Sequence, residues 1–263
     1  MKVSRLFESL AGTTWRFIKS SHDNRVRLGE DTITTFALNS IAYNSPSSVI
    51  YEDTRIDESI KGCDFELWVG NNKCGWYRYA IQAKKINYST GRYDSLTHKV
   101  GTKRQIDVLT HYALSNNATP LYCFYNNSNS SVKWNCKYSK DIEQLGISLS
   151  SVNSVNQAIN KRGCKNYTYI HNKPKTVPWR CLVKCPKLIS CDLKNNRSEH
   201  LFGATIINNL PSSLENLREK LSNSYSHDQV ATNGFELDLG GLFDIDCNLR
   251  PKRIVIIDTG MTG

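Results

Sequence analysis

Two short runs of alternating side chains, Gly62-Cys63-Asp64-Phe65-Glu66-Leu67-Trp68 and Tyr79-Ala80-Ile81-Gln82-Ala83-Lys84, place the tightest constraint on how this chain folds. A period of two is the period of a β-strand. In the first run it puts Cys63, Phe65 and Leu67 on one face and Asp64, Glu66 and Trp68 on the other. In the second, Tyr79, Ile81 and Ala83 share a face, which leaves Gln82 and Lys84 side by side on the opposite one. Paired as a hairpin, the two strands bring Asp64, Glu66, Gln82 and Lys84 to one patch. The plainer alternative is a half-buried sheet in which Asp64 and Lys84 form a structural ion pair.

Carboxylates, an amide oxygen and an ammonium are the groups that phosphodiester hydrolysis uses. A hard divalent cation such as Mg²⁺ or Mn²⁺ takes oxygen ligands, commonly one or two carboxylates with water and substrate phosphate filling the rest. Asp64 is the first candidate ligand, Gln82 adds a neutral carbonyl oxygen, and Lys84 positions water or neutralises developing charge. Because Gln82 is uncharged the site calls for another acid, and Glu66 and Glu30 are the candidates, with Glu66 also a candidate ligand.

An Asp followed on the next strand by Gln-x-Lys, in Gly-x-Asp and Ile-Gln-Ala-Lys contexts, resembles the PD-(D/E)XK nuclease superfamily in its Mrr-like restriction-endonuclease branch. Upstream, Ile33, Phe36, Ala37 and Ile41 form one helical stripe with Glu30 a turn before it, similar to the helical Glu of that superfamily. Downstream, Ile106, Leu109 and Ala113 mark a second helix before the strand Pro120 to Tyr125, and Val49-Ile50-Tyr51 supplies a first strand. The order helix, three strands, helix, strand covers roughly residues 20 to 128. Two departures stand: Gln82 replaces the usual acid, and Cys63 rather than Pro precedes Asp64. The resemblance implies an α/β fold with a restriction-endonuclease-like core, a mixed sheet flanked by helices, over residues 1–128; beyond it a C-terminal α+β extension over 129–263, a candidate substrate-binding part packed on the core, is expected. It also implies a metal-dependent DNA endonuclease of bacterial restriction or antiviral defence, with RNA as the second choice of substrate. The competing expectation, which Gln82 favours, is a catalytically idle nucleic-acid-binding or assembly subunit that keeps the fold.

A net charge of +10 fits a protein that meets a polyanion, since phosphate neutralisation supplies most non-specific nucleic-acid affinity. Lys85, Arg92, Lys99, Lys103 and Arg104, interleaved with Tyr88 and Tyr93, are candidate phosphate contacts, against the alternative of an ordinary solvated loop. Lys103 and Arg104 stand out because they open the next helix, and helix N-termini attract phosphate. Double-strand cleavage calls for two sites, hence a homodimer or successive nicks. The chain lacks a Gly-rich phosphate loop, so any control of action on long DNA is expected to come from an activating partner, a bound ligand or the shape of the substrate.

No apolar run approaches the roughly 20 residues that span a membrane, and the segment Met1 to Ser20, with Leu6, Leu10 and Trp15, reads as an amphipathic helix rather than a secretory signal. A cytoplasmic protein is expected, with most of its nine cysteines reduced. Cys181, Cys185 and Cys191 with His200 give half of a zinc pattern; the alternative is a strand Trp179 to Val183 with Cys181 and Val183 facing inward. Asn126 to Ser131 reads as a loop, and Ser151 to Asn160 and Ser213 to Ser222 read as helices, with Leu214, Leu217 and Leu221 on one stripe. The basic and aromatic stretch Lys161 to Arg180, with Tyr167 and Tyr169, reads equally as a surface for exposed bases or as a buried strand. Glu236, Asp238, Asp244 and Asp246 alternate with apolar residues as two strands joined at Gly240 and Gly241, and Ile254 to Gly260 reads as a closing strand.

Overall fold

The computed structural model describes residues 2–45, 48–52, 61–191, 199–224 and 249–260. Two helices open the chain, α1 (Val3–Asp23) and α2 (Glu30–Asn44), followed by β1 (Ser48–Glu52). Strands β2 (Lys61–Cys63), β3 (Phe65–Asn71) and β4 (Gly75–Lys85) follow. A small ladder of β5 (Lys99–Val100) and β6 (Lys103–Arg104) then leads into α3 (Gln105–Ser115) and β7 (Thr119–Tyr125). The second half adds β8 (Ile147–Ser151), α4 (Val152–Asn160), α5 (Tyr167–His171) and β9 (Thr176–Pro178). It ends with a helical turn at Cys181–Lys184, β10 (Ile206–Ile207), a helix at Ser212–Ser224, β11 (Arg250–Pro251) and β12 (Arg253–Asp258).

The architecture is α/β, a mixed sheet flanked by helices. Its strand order is β1-β12-β3-β4-β7-β8-β9, with β10 also paired to β4. Strands β12 and β3 are parallel, as are β4 and β7, and the other pairs are antiparallel. Every residue of β12 is buried, as a near-continuous apolar run in a sheet covered on both faces should be. On one face, Thr34 of α2 meets the Tyr125 hydroxyl of β7 at 2.8 Å. The other face is covered by α3, whose Tyr112 reaches Glu66 of β3, and the carbonyl of Asn116 just past its end accepts from Arg78 of β4 at 2.7 Å.

Residues beyond 128 are not a layer added to a finished core. They contribute β8, β9 and β12 to the same sheet, and β12 lies between β1 and β3. Helix α1 is held by them as well: the Trp179 ring lies 4.2 Å from that of Phe7, and Trp179 Nε1 donates to the Phe7 carbonyl at 2.7 Å. The helical expectations at 151–160 and 213–222 match α4, capped by the Ser151 side chain, and the Ser212–Ser224 helix, where Leu214 and Leu217 are buried.

The structure departs from the sequence expectations in several places. Trp179 to Val183 is not a strand, because Pro178 ends β9 and Cys185 N–H closes a helical turn on the Cys181 carbonyl. Tyr167 to His171 is helix, not strand, with the Asn166 side chain accepting from Tyr169 N–H as its cap. Phe36 leaves the buried stripe of α2 and meets Phe17 at 5.4 Å on the surface. The zinc set does not assemble, since Cys191 is disulfide-bonded to Cys74 and His200 Nε2 lies 3.0 Å from the Tyr79 hydroxyl. Six other cysteines are free among the described residues. The acidic alternation at 236–246 lies outside the described residues.

Gly146 fixes the seat of α1. A Cβ there would fall 2.0 Å from the Ala11 carbonyl oxygen and 2.9 Å from the Trp15 nitrogen. Gly146→Ala is therefore expected to destabilise the protein by about 1–3 kcal/mol, the usual cost of overpacking, read as a lowered urea midpoint with an unchanged slope. An unchanged midpoint would mean that α1 is not locked against this turn.

Candidate active site

The site arises where β4 outruns its neighbour. The β3–β4 register ends with Phe65 opposite Ile81, yet β4 continues to Lys85. Backbone N–H groups at Ala83 and Lys85 thus point along an edge that β3 no longer covers, and a buried N–H left unpaired costs about 1–3 kcal/mol. Two carboxylates take them. Asp64 Oδ2 accepts from Ala83 N–H at 2.8 Å, and Glu30 Oε2 accepts from Lys85 N–H at 2.8 Å.

Asp64 can do this because the strand breaks at it. It sits in a bend between β2 and β3, with its own N–H donating to the Ile81 carbonyl at 3.0 Å. Gly62 just before it is packed so closely that a Cβ would meet the Tyr112 ring at 2.4 Å. Glu30 is the first residue of α2, where a negative charge also suits the helix dipole.

The second oxygen of each acid faces an ammonium. Asp64 Oδ1 lies 3.1 Å from Lys61 Nζ, and Glu30 Oε1 lies 3.5 Å from Lys84 Nζ. Gln82 donates its side-chain amide to Asp64 Oδ2 and so braces the carboxylate. Burial raises the Glu30 carboxyl above its ordinary range; Lys84 and the Lys85 N–H pull it down, and the Asp64 charge pushes it up further. Together Glu30, Lys61, Asp64, Gln82 and Lys84 line a cleft of about 650 Å³, closed on another side by His98, Lys99 and Gln105.

Glu66 does not join this group. It is 0 % exposed, accepts from Arg78 Nη2 at 2.7 Å, Tyr112 Oη at 2.5 Å and Trp68 Nε1 at 3.2 Å, and does not line the cleft. The pairing of β3 with β4 puts Glu66 opposite Ala80, one step below Gln82, where α3 covers the sheet and Arg78 captures the acid. Its expected role as a catalytic acid or metal ligand is corrected accordingly.

Of the candidate phosphate contacts, Lys99 lines the cleft and Lys103 is exposed beside it on β6. Arg104 forks onto Asp107 with two bonds of 2.7 Å; it and Lys103 precede α3 rather than lie within it. Lys85 contributes mainly its backbone, and burial lowers the pKa of its half-buried ammonium. Arg92 lies elsewhere, in a polar cleft of about 600 Å³ with Tyr169 and Lys173. Sequence reasoning missed Lys61: strict alternation put it with Cys63, away from Asp64, and only the bend turns the two together.

The chain belongs to a family of unknown function, DUF6615, whose model matches residues 3–255. No curated protein and no solved structure matches it. The DUF6615 match runs from α1 into β12, and so includes the acids, the lysines and the strands that carry them.

A hard cation fits this donor set in kind: two carboxylates and an amide, all oxygen. The set is small, because no cluster of three or more His, Cys, Asp or Glu able to hold a metal occurs among the described residues. No helix among the described residues is long and apolar enough to cross a membrane.

The buried Glu66–Arg78 pair gives a direct test of the division of labour. Arg78→Met is expected to cost about 3–5 kcal/mol, because it leaves Glu66 charged and partly unpaired in the interior, and adding Glu66→Leu should recover much of the loss. Chemical denaturation of both variants checks this. No recovery in the double variant would mean that Glu66 has a role beyond the ion pair.

Proposed function

We propose that the cleft formed by Glu30, Asp64, Gln82 and Lys84 is the active site of a metal-dependent nuclease built on a restriction-endonuclease-like core, with DNA as the preferred substrate. The observation that carries this reading is the pair of acids pinned by alternate N–H groups of one strand, with a buried lysine from that strand beside them. Each acid keeps one oxygen fixed by the backbone and directs the other into the cleft. A Mg²⁺ or Mn²⁺ ion held there by Asp64, Glu30 and the Gln82 amide oxygen would supply Lewis-acid stabilisation of phosphoryl charge and acidify a nucleophilic water.

The residues of the chain perform the remaining tasks. Lys84, 3 % exposed, is held by packing and by Glu30, so its ammonium can meet a phosphate oxygen with little reorganisation. Lys99 and Lys103 on the small ladder beside the cleft extend positive charge along the path of a phosphate backbone. Restriction or antiviral defence is the role proposed for such an enzyme, as a homodimer or with an activating partner.

A second reading is favoured by one specific observation. Both acids are already matched by ammoniums, and Glu66 is consumed in the interior. A nucleic-acid-binding subunit without hydrolysis would have this composition. Supercoiled plasmid incubated with Mg²⁺, Mn²⁺ or EDTA separates the two. Nicking or linearisation in the metal lanes is expected, falling on the order of 10²–10³-fold in Lys84→Ala while circular dichroism and DNA affinity change little. Salt-sensitive binding with no product in any lane, on DNA and on RNA, would favour the idle subunit.

The raised Glu30 pKa adds a second expected outcome. Glu30 must be ionised to act as a ligand, so kcat/KM at subsaturating metal should fall as pH drops through an apparent pKa above 4.5. A profile that stays flat down to pH 4.5 would remove Glu30 from the metal site.

A further inference from the structure

Two cysteines of the expected zinc set, Cys181 and Cys185, gather instead with Cys136. Cys136, in the irregular segment after β7, lies with its Sγ 3.5 Å from Cys181 Sγ in the helical turn at 181–184. Cys185 is a second thiol close enough to Cys181 to affect its ionisation, so Cys181 stands between two sulfur neighbours. Arg180, 5 % exposed, completes the group. Its guanidinium lies 3.1 Å from Glu8, while its Nε is buried with no hydrogen-bond partner among the described residues.

We propose that Cys136, Cys181 and Cys185 form a hydroperoxide-reactive thiol site in which Cys136 is the sulfur oxidised and Cys181 the thiol that resolves it. The surroundings of the three sulfurs assign the roles. The single Cys181 S–H can serve Cys136 or Cys185, and the Cys185 thiol is likewise pulled down to about 6 by Cys181, but only Cys136 also has the Arg180 guanidinium beside it, which favours thiolate on Cys136 and thiol on Cys181. The Cys136 pKa is accordingly pulled down to about 6, chiefly by the Cys181 thiol and further by the Tyr138 N–H and Arg180, against the opposing effect of burial. Donation pushes the Cys181 thiol up, and burial adds to the rise.

The chemistry balances with one named oxidant. The Cys136 thiolate attacks the distal oxygen of a hydroperoxide, breaking the O–O bond to give a sulfenic acid and an alkoxide, or hydroxide from hydrogen peroxide, which takes a proton from solvent. Cys181 sulfur then attacks the sulfenic sulfur; its thiol proton leaves with the hydroxyl as water, and a Cys136–Cys181 disulfide remains. One peroxide is reduced for each two thiols oxidised. The buried Arg180 Nε–H is a donor suited to the anionic sulfur and to the sulfenate oxygen. The free cysteines Cys63 and Cys123 are buried in the sheet, where burial raises both thiols, and they serve as internal references together with the half-buried Cys164.

The test uses the full chain, reduced, desalted and exposed to hydrogen peroxide, then alkylated and digested with trypsin without reduction. Each thiol falls on its own peptide, with Cys136 in Trp134–Lys137, Cys181 in Cys181–Lys184 and Cys185 in Cys185–Lys187. The expected result is a linked Trp134–Lys137 and Cys181–Lys184 pair, forming roughly ten-fold faster than Cys164 loses its free thiol, as the lowered Cys136 thiol and a second thiol 3.5 Å from it predict. In Cys181→Ser, dimedone should label Cys136 as a trapped sulfenic acid. Loss of Cys136 no faster than loss of Cys164 would overturn the proposal. A first linkage between Cys181 and Cys185 would overturn the assigned roles. The wild-type map decides both points even if the variant folds poorly.

Discussion

Two backbone N–H groups, at Ala83 and Lys85, organise this molecule's candidate site. They exist because β4 runs past the end of β3, and a strand that loses its partner inside a covered sheet must satisfy its donors by other means. Here carboxylates from two separate elements do it, one from a strand break and one from a helix N-terminus. The same requirement that completes the sheet therefore draws two negative charges together. Burial is the main reason the Glu30 carboxyl is raised, and the nearby Asp64 charge adds a smaller push in the same direction. Lys61 and Lys84 offset it from the other side, one ammonium per acid.

Glu66 shows how the same face of the same sheet can hold an acid with an entirely different fate. It sits on the side of Gln82 and Lys84, as alternation demands, but one register step further under α3. There it meets Arg78, Tyr112 and Trp68, and removing water from this group leaves the pair dependent on its own hydrogen bonds. What separates a candidate ligand from a structural acid is thus the end of a strand and the start of a covering helix, a distance of about two residues along β3.

Much of the core could be read in the sequence because its signals are local. The alternation of Tyr79, Ile81 and Ala83, the stripe of Ile106, Leu109 and Ala113, and the apolar run at Ile254 to Ile257 each specify an element and a buried face. The convergence of Asp64, Gln82, Lys84 and Glu30 was legible from a short pattern and its order along the chain. The bend at Asp64 was not, because nothing in Cys63-Asp64-Phe65 interrupts the alternation; the break is imposed by β4 donors that lie about 20 residues further on. Lys61 was lost with it. Asn166 and Pro178 did carry usable signals, a cap and a strand terminator, but the aromatic alternation around them matched a strand pattern as well.

The placement of β12 governs how the two halves relate. It fills the gap between β1 and β3, antiparallel to one and parallel to the other, so β1 reaches the sheet through it. A chain cut at residue 128 would leave β1 without that partner and the β3 edge open, while α1 would lose both the Trp179 ring against Phe7 and the turn at Gly146. The cation pairs point the same way, since Lys252 and Arg253 at the start of β12 both reach Asp31, the residue after Glu30. Asp31 is exposed, so these pairs add little energy by themselves. Their significance is geometric: they tie the start of α2, and hence the position of Glu30, to the last strand of the chain. A site whose acids, amide and paired lysines all lie before position 85 therefore depends on backbone supplied from beyond position 250.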